Sequence, residues 1–162
     1  FAVVAQLLSH AAPTGGFVEV EGKLVGARLV GQAFATPGYF HGRPSAIGYD
    51  ASTSGGTNLG PTNAGLIAAI GERALAESAA AGGAVVPLDL VTSSASGLDP
   101  HISPAAARLQ VARVAAARGL DPARVAALVE AAVEGPLLGL LGEPRVNVLE
   151  LNLALDRLAG GQ

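Results

Sequence analysis

The sequence predicts a single domain of the α+β class, with an N-terminal β-hairpin, a long ordered loop region, one further short strand and about four helices. Three observations lead to this prediction. Two short segments of alternating apolar and polar residues lie close together at 17–21 and 24–30. Residues 31–62 are crowded with turn-forming side chains. Later segments repeat apolar residues at helical spacing.

The N-terminal part combines a short apolar run, a linker and the hairpin. Residues 1–8 are apolar, but the run is far shorter than the ~20 residues that cross a bilayer. Residues 9–16 are rich in Gly, Pro and small polar side chains and are predicted to form a linker. In the hairpin, Gly22-Lys23 is the predicted turn between the strands 17–21 and 24–30.

The region 31–62 is predicted to be irregular but ordered. Irregular stretches of about 30 residues are uncommon in compact domains and are usually functional or disordered. Order is favoured here by an aromatic cluster formed by Phe34, Tyr39, Phe40 and Tyr49. A helix is predicted next at 66–81, and a short strand at 85–91. The helix has one apolar stripe, made of Leu66, Ile67, Ile70, Ala74 and Leu75.

A second helix is predicted at 105–118. Ser103 is placed to cap it, and Pro104 suits its first position, where a missing N–H costs nothing. Gly119 follows the last apolar repeat and is the predicted end of the helix.

Two more helices are predicted at 122–134 and 146–158. Asp121 caps the first of them, whose apolar face comprises Val125, Leu128, Val129, Ala132 and Val133. The last segment is ambiguous, because its alternating leucines also fit a strand. Its length and its Leu, Ala and Glu content favour a helix.

Composition excludes several classes of function. The net charge is −3 and Lys23 is the only lysine, so there is no basic stripe for nucleic acid. There is no cysteine, which excludes thiol catalysis and disulfides. Charged residues make up only 14% of the chain, below the usual ~25%. Either a biased composition or a surface partly covered by partner subunits accounts for this.

A glycine-rich turn is the one candidate for binding an anion or a nucleotide. It consists of Ser54, Gly55, Gly56, Thr57 and Asn58, whose backbone N–H groups are able to cradle a phosphate. The alternative is a tight loop whose glycines take positive φ. The chain lacks the lysine pattern of a P-loop, which favours the alternative.

No catalytic residue and no metal site are predicted. His41, Asp99 and His101 contain metal-ligating groups but lack paired ligand spacing, so local hydrogen bonds to the backbone are the preferred interpretation. A serine hydrolase is disfavoured because there is no Gly-x-Ser-x-Gly elbow.

Gln110 and Arg113 are predicted to face packed surface on the helix 105–118. A buried arginine must be paired, and Asp99 or Asp89 are the expected partners. We interpret Gln110, Arg113 and Ser103 as a network that holds the loop 92–104 on the helix. A direct contact between this helix and a partner subunit is the alternative.

Seven stretches resemble, in order, the signature segments of the C subunit of the Kdp potassium-transporting ATPase. They lie at 31–34, 39–46, 54–63, 86–92, 92–104, 110–114 and 142–148. The segment 92–104 is the most informative, and its only small departures from the family pattern are Ser93 and Ala95.

The resemblance implies a non-catalytic accessory subunit of a high-affinity, ATP-driven potassium uptake pump, needed for assembly and function of the complex. The expected partners are the pore-forming and the ATP-hydrolysing subunits. The family has also been described as raising the ATP affinity of the ATP-hydrolysing subunit, so ATP is the one cofactor that the resemblance admits. A free-standing anion-binding or nucleotide-binding domain that uses residues 54–58 is the alternative.

The resemblance further implies a cell-membrane protein with a single-pass N-terminal anchor. Residues 1–15 are then expected to be the remnant of that anchor plus a linker, and residues 16–162 the soluble domain, on the extracytoplasmic side. The loops 39–60 and 92–103 are expected to meet the partner through Arg43, Asp99 and His101. The helix 122–134 is expected to present its charged residues, Arg124, Glu130 and Glu134, to solvent.

Overall fold

A computed structural model describes residues 16–136 and 139–160. The expected anchor remnant and linker at 1–15 lie outside this range. Within it, the elements are β1 (Phe17–Val20), β2 (Lys23–Ala27), α1 (Ala64–Ala80), β3 (His101–Ile102), α2 (Pro104–Arg118), α3 (Pro122–Ala131), β4 (Val133–Glu134), β5 (Arg145–Asn147) and α4 (Val148–Gly160). The α+β prediction is confirmed. No helix in the described ranges is both long and apolar enough to cross a bilayer.

The hairpin forms, but its turn is shifted by one residue and its second strand ends at Ala27, three residues earlier than predicted. Strands β1 and β2 are antiparallel, and Val20 pairs with Lys23. Glu21 and Gly22, with φ of 52° and 75°, occupy the two central positions. A turn that needs positive φ at both positions matches the twist of the two strands. The turn is therefore Glu21-Gly22 and not Gly22-Lys23.

The predicted strand 85–91 is wrong. Leu88–Leu90 is a short 3₁₀ turn, and the residues just before it have no regular structure. Pro87 has no N–H to donate to a neighbouring strand, and Val85 is 93% exposed. The second sheet is built instead from three very short strands in the order β3-β5-β4, all antiparallel.

The helix ends follow the predicted capping residues closely. The Oγ of Ser103 accepts the N–H of Ala106, and the carboxylate of Asp121 accepts that of Ala123. Gly119 ends α2 in the left-handed conformation, with φ of 64°. Helix α3 ends at Ala131, three residues earlier than predicted, because Val133–Glu134 pairs with β5.

The ambiguous segment 146–158 contains both kinds of structure. Val146 and Asn147 belong to β5, and α4 begins directly after them at Val148. The core lies between α2, α3, α4 and β5. Its fully buried side chains include Val114, Val125, Val129, Val146, Leu151, Leu155 and, from the loop region, Phe40.

Helix α1 lies outside this core. None of its residues is buried. Ile67 and Leu75, which the sequence places on the apolar stripe, are 58% and 76% exposed. Of the stripe, only Leu66, Ile70 and Ala74 are half-buried.

Candidate functional site

Two buried amide side chains hold the segment 36–43 against the core. Asn152 Oδ1 accepts the N–H of Phe40 at 2.9 Å, and its Nδ2 donates to the Phe40 carbonyl at 3.0 Å. Gln110 Oε1 accepts the N–H of His41 at 2.7 Å, and its Nε2 donates to the His41 carbonyl at 3.2 Å. Each amide therefore pairs with the backbone as a neighbouring strand would. Because both side chains are almost fully buried, these bonds satisfy groups that are costly to leave unpaired.

Two arginines of α2 complete the attachment of this segment. Arg113 donates to the carbonyls of Pro37 and Tyr39 at 2.6 and 3.1 Å and to Gln110 Oε1 at 2.6 Å. Arg118 donates to the Gly38 carbonyl at 2.7 Å, and its guanidinium lies 4.4 Å from the ring centroid of Tyr39.

The prediction that Arg113 pairs with a carboxylate is therefore wrong. Carbonyl dipoles and an amide oxygen surround the guanidinium instead of Asp99 or Asp89, and its burial lowers the pKa. The network of Gln110 and Arg113 also holds the segment 36–43, not the loop 92–104. The hydrogen-bond donors of the half-buried Arg113 guanidinium are thus satisfied largely by backbone oxygens.

The loop 92–104 is held against the rest of the chain by other hydrogen bonds. The carboxylate of Asp89 accepts both the N–H and the Oγ–H of Ser103, at 2.7 and 3.1 Å. Gly31 N–H donates to the Leu98 carbonyl at 2.8 Å, and Ser45 Oγ–H donates to the Gly97 carbonyl at 2.7 Å. A Cβ at Gly31 would lie only 2.6 Å from the carbonyl oxygen of Asp99. These contacts keep the loop in one shape.

Arg43, Asp99 and His101, the three predicted partner contacts, come together in one cleft. Arg43 Nη1 donates to Asp99 Oδ2 at 3.1 Å. The other carboxylate oxygen of Asp99 accepts the backbone N–H of His101 at 3.0 Å and lies 3.7 Å from His101 Nδ1. Burial, aided by the nearby charge of Arg145, lowers the pKa of the His101 imidazole. The ring is therefore largely neutral near pH 7.

The cleft is open and measures about 580 Å³. It is bordered further by Asp89, Thr92, Glu143 and Arg145. Both signs of charge are present, and Asp89, Asp99 and Arg145 are already engaged in contacts within the chain.

His41 is not part of this cleft. Its Nε2 lies 3.0 Å from the carbonyl oxygen of Thr36, so it takes part in a local hydrogen bond to the backbone, as the preferred interpretation predicted. In the parts of the chain that the structure describes, no group of three or more His, Asp or Glu side chains is placed to hold a metal ion.

The glycine-rich turn 54–58 packs against the loop 92–104. The N–H of Gly55 donates to the Ser96 carbonyl at 2.9 Å, and Ser54 Oγ–H donates to the same oxygen at 3.2 Å. The positive φ in this region belongs to Asn58, at 54°, and not to the two glycines. The expectation of left-handed glycines is therefore wrong. What needs a glycine at Gly56 is close approach, since a Cβ would lie 3.1 Å from the Ala95 carbonyl oxygen.

Asp89 and Asn152 are the site residues that sequence reasoning missed. Asn152 sits among leucines in a helix, and a polar side chain on the apolar face of α4 is a signal that was available. Asp89 was considered only as a partner for Arg113.

A family model, described as K+-transporting ATPase, c chain (KdpC), matches residues 1–157. The chain belongs to this family. A protein of Nitratidesulfovibrio vulgaris that bears the name potassium-transporting ATPase KdpC subunit is 59% identical over 163 residues, which is 98% of this chain and 83% of the relative. The protein of the same name from Gemmatimonas aurantiaca is 56% identical over 161 residues, covering 96% and 80% of the two chains. A third, from Polaromonas naphthalenivorans, is 58% identical over 159 residues, or 95% and 81%.

Several of the matched stretches meet in space. The segment 36–43, the turn 54–58 and the loop 92–104 contact one another or the same helix. Together they form one ordered surface that is built from loops and supported by α2 and α4.

Proposed function

We propose that this chain is a non-catalytic accessory subunit of an ATP-driven potassium uptake pump, required for assembly and function of the complex. Its partners are the pore-forming and the ATP-hydrolysing subunits, and its described domain lies on the extracytoplasmic side of the cell membrane. The names of the relatives support a place in a potassium-transporting ATPase. The observation that supports a docking role is the cleft of Arg43, Asp99 and His101.

The cleft suits docking because its walls are rigid before any partner arrives. Asp99 is held by Arg43 and by the backbone of His101, and the loop behind it is fixed by Ser45 and Gly31. Loops that are already held in one conformation lose little conformational entropy on association, which favours binding. The side chains of Arg43 and Asp99 remain 27% and 29% exposed, so their outer edges are free to meet a partner.

A test compares this cleft with the exposed surface of α3. Arg43→Ala and Asp99→Ala are expected to weaken co-purification of the pump subunits and growth on limiting potassium. Arg124→Ala and Glu130→Ala are the controls, since Glu130 forms an exposed pair with Arg108 that contributes little. Equal loss in both pairs of variants, with all four chains folded, would contradict the proposed docking cleft.

A role in raising ATP affinity, and the alternative of a free-standing anion site at 54–58, both remain predictions. The N–H of Gly55 is already donated to Ser96, which leaves fewer free donors for a phosphate. We expect calorimetric titration of the chain with ATP to give no micromolar dissociation constant. A micromolar constant that Gly55→Val abolishes would favour the anion site instead.

A further inference from the structure

The β1–β2 hairpin is attached to the domain without entering its core. No residue in 17–27 is buried, and the side chains of Phe17 and Leu24 are both 61% exposed. One approach to the core occurs at Gly26, where a Cβ would lie 3.2 Å from Leu149 Cδ2. Because an isolated two-stranded hairpin is at best marginally stable in water, this hairpin depends on the contacts that fasten it.

Arg28, directly after β2, fastens the hairpin by two ion pairs that we call the latch. Its Nη2 lies 2.8 Å from Glu134 Oε1, and its Nε lies 2.7 Å from Glu150 Oε1. The Arg28 carbonyl also accepts an Nδ2–H of the buried Asn147 at 2.7 Å. The three charged side chains are between 28% and 48% exposed. Exposed ion pairs contribute little to stability and are screened by salt, so the latch is weak and salt-sensitive.

The chain just after the latch is held much more firmly. Gly31 is buried, and its N–H donates to the Leu98 carbonyl at 2.8 Å. A Cβ at Gly31 would lie 2.6 Å from the carbonyl oxygen of Asp99, so the two backbones are in close contact. Leu29, between the latch and this contact, is 63% exposed. Opening of the hairpin should therefore stop before Gly31 and leave the loop 92–104 in place.

The two ends of the hairpin meet at one point. The N–H of Arg28 donates to the Gly16 carbonyl at 2.9 Å, so the segment 16–28 leaves this point and returns to it. An extended chain spans at most ~3.6 Å per residue. Opening of the hairpin would therefore allow Gly16 to move up to about 40 Å away from Arg28.

We propose that the hairpin is an extensible tether controlled by the latch. With the latch closed, Gly16 is held beside the core. With the latch open, the strands separate and residues 16–28 become flexible chain, which lets the core move relative to the chain that precedes Gly16. This opening occurs at a lower free energy than global unfolding, because no core residue has to leave its place. The tether follows from contacts within the chain and does not depend on the function proposed above.

Amide hydrogen exchange of the full chain measures the opening. Arg28→Gln removes both ion pairs but keeps the backbone groups of residue 28, and we expect the cross-strand amides of β1 and β2 to exchange about fivefold faster. Sodium chloride at about 1 M should have a similar effect on the unchanged chain and little effect on Arg28→Gln, because salt screens the two pairs. Glu150→Gln, which removes one pair, should give an intermediate rate. Arg108→Gln is the matched control, since it removes an exposed pair with Glu130 that does not touch the hairpin.

A distance measurement tests whether the opened hairpin extends. The chain has no cysteine, so Phe17→Cys combined with Arg124→Cys provides two unique sites for spin labels, both at exposed positions. Double electron–electron resonance should give one narrow distance while the latch is closed. In the Arg28→Gln background, a broad population at longer distances should rise about fivefold relative to the narrow one.

Three results would overturn the proposal. Exchange that is unchanged both in Arg28→Gln and in high salt would show that the latch does not hold the hairpin. Hairpin amides that exchange only as fast as the amides of α2 would place the hairpin in the same cooperative unit as the core. Faster exchange without any longer distance would mean that the strands separate in place and that no tether is released. The salt experiment on the unchanged chain keeps the test decisive if Arg28→Gln does not fold.

Discussion

Helices α1 and α2 are similar in length and capping but differ in burial. They have 17 and 15 residues, each begins at a side-chain cap, and each carries three charged residues. Helix α2 buries Ala106, Ala107, Gln110, Val114 and Ala115, whereas α1 buries none. Apolar content alone therefore does not decide which helix enters the core. The neighbours decide it: α3, β5 and the segment 36–43 surround α2.

The two helices also use their charges differently. The arginines Arg113 and Arg118 of α2 bind backbone carbonyls of the segment 36–43. In α1, Arg73 likewise donates a hydrogen bond to a backbone carbonyl, that of Val91, but this is a single bond. We therefore expect α2 to unfold with the whole domain and α1 to open locally at lower cost.

The largest expected difference between the two regions comes from removing one apolar side chain from each. Phe40 is fully buried beneath α2 and α4, so Phe40→Ala should lower the free energy of unfolding by about 3–5 kcal/mol. Leu75→Ala on α1 removes a side chain that is 76% exposed and should cost less than about 0.5 kcal/mol. Urea unfolding of both variants measures this. Similar losses would mean that α1 is part of the core.

A smaller effect is expected from removing the amide of Gln110. Gln110→Ala leaves the N–H and carbonyl of His41 without their partners, so we expect a loss of about 2–3 kcal/mol in the free energy of unfolding. Arg108→Ala on the exposed side of the same helix removes only a solvent-exposed ion pair with Glu130, and its midpoint in urea should barely change. If the two variants were equally stable, the attachment of the segment 36–43 would not depend on Gln110.

The two N-terminal caps provide a sharper comparison. Ser103→Ala should lower the global free energy of unfolding by about 1 kcal/mol, because α2 buries five of its residues in the core. Asn63→Ala removes a cap from α1 and should instead speed amide hydrogen exchange within α1 while leaving the global transition almost unchanged. Coincident global losses in both variants would show that α1 and α2 belong to one cooperative unit.

The smallest expected effect concerns pH. Burial lowers the pKa of His41, and the nearby charge of Arg113 adds to this while Thr36 opposes it. At a given acidic pH, His41 is therefore protonated more fully in the unfolded chain than in the folded one. Stability from this group is therefore complete above the usual histidine pKa of about 6.5 and declines as the pH falls below it. The urea midpoint should fall modestly between pH 7.5 and 5.5, and less so in His41→Gln. An unchanged slope in His41→Gln would remove His41 as the cause.

Much of the local structure was predictable from the sequence. The hairpin, the four described helices and the caps at Ser103 and Asp121 depend on hydrogen bonds between residues that are close along the chain. Arg43, Asp99 and His101 were named as expected partner contacts, but their contacts with one another were not predicted. The salt bridge of Arg43 with Asp99 joins residues 56 positions apart.

What only the tertiary structure decided involves partners that are distant along the chain. Strands β3, β4 and β5 have two or three residues each, too few for any alternation to be visible. Arg113 was expected to meet a carboxylate but binds carbonyls, because any backbone oxygen can accept from a guanidinium and sequence does not mark which one is near. Likewise, the sequence determined that α1 is a helix with an apolar stripe. Only the packing of the other helices determined that part of this stripe, including Ile67 and Leu75, remains uncovered, because burial requires a facing surface and a periodic pattern does not supply one.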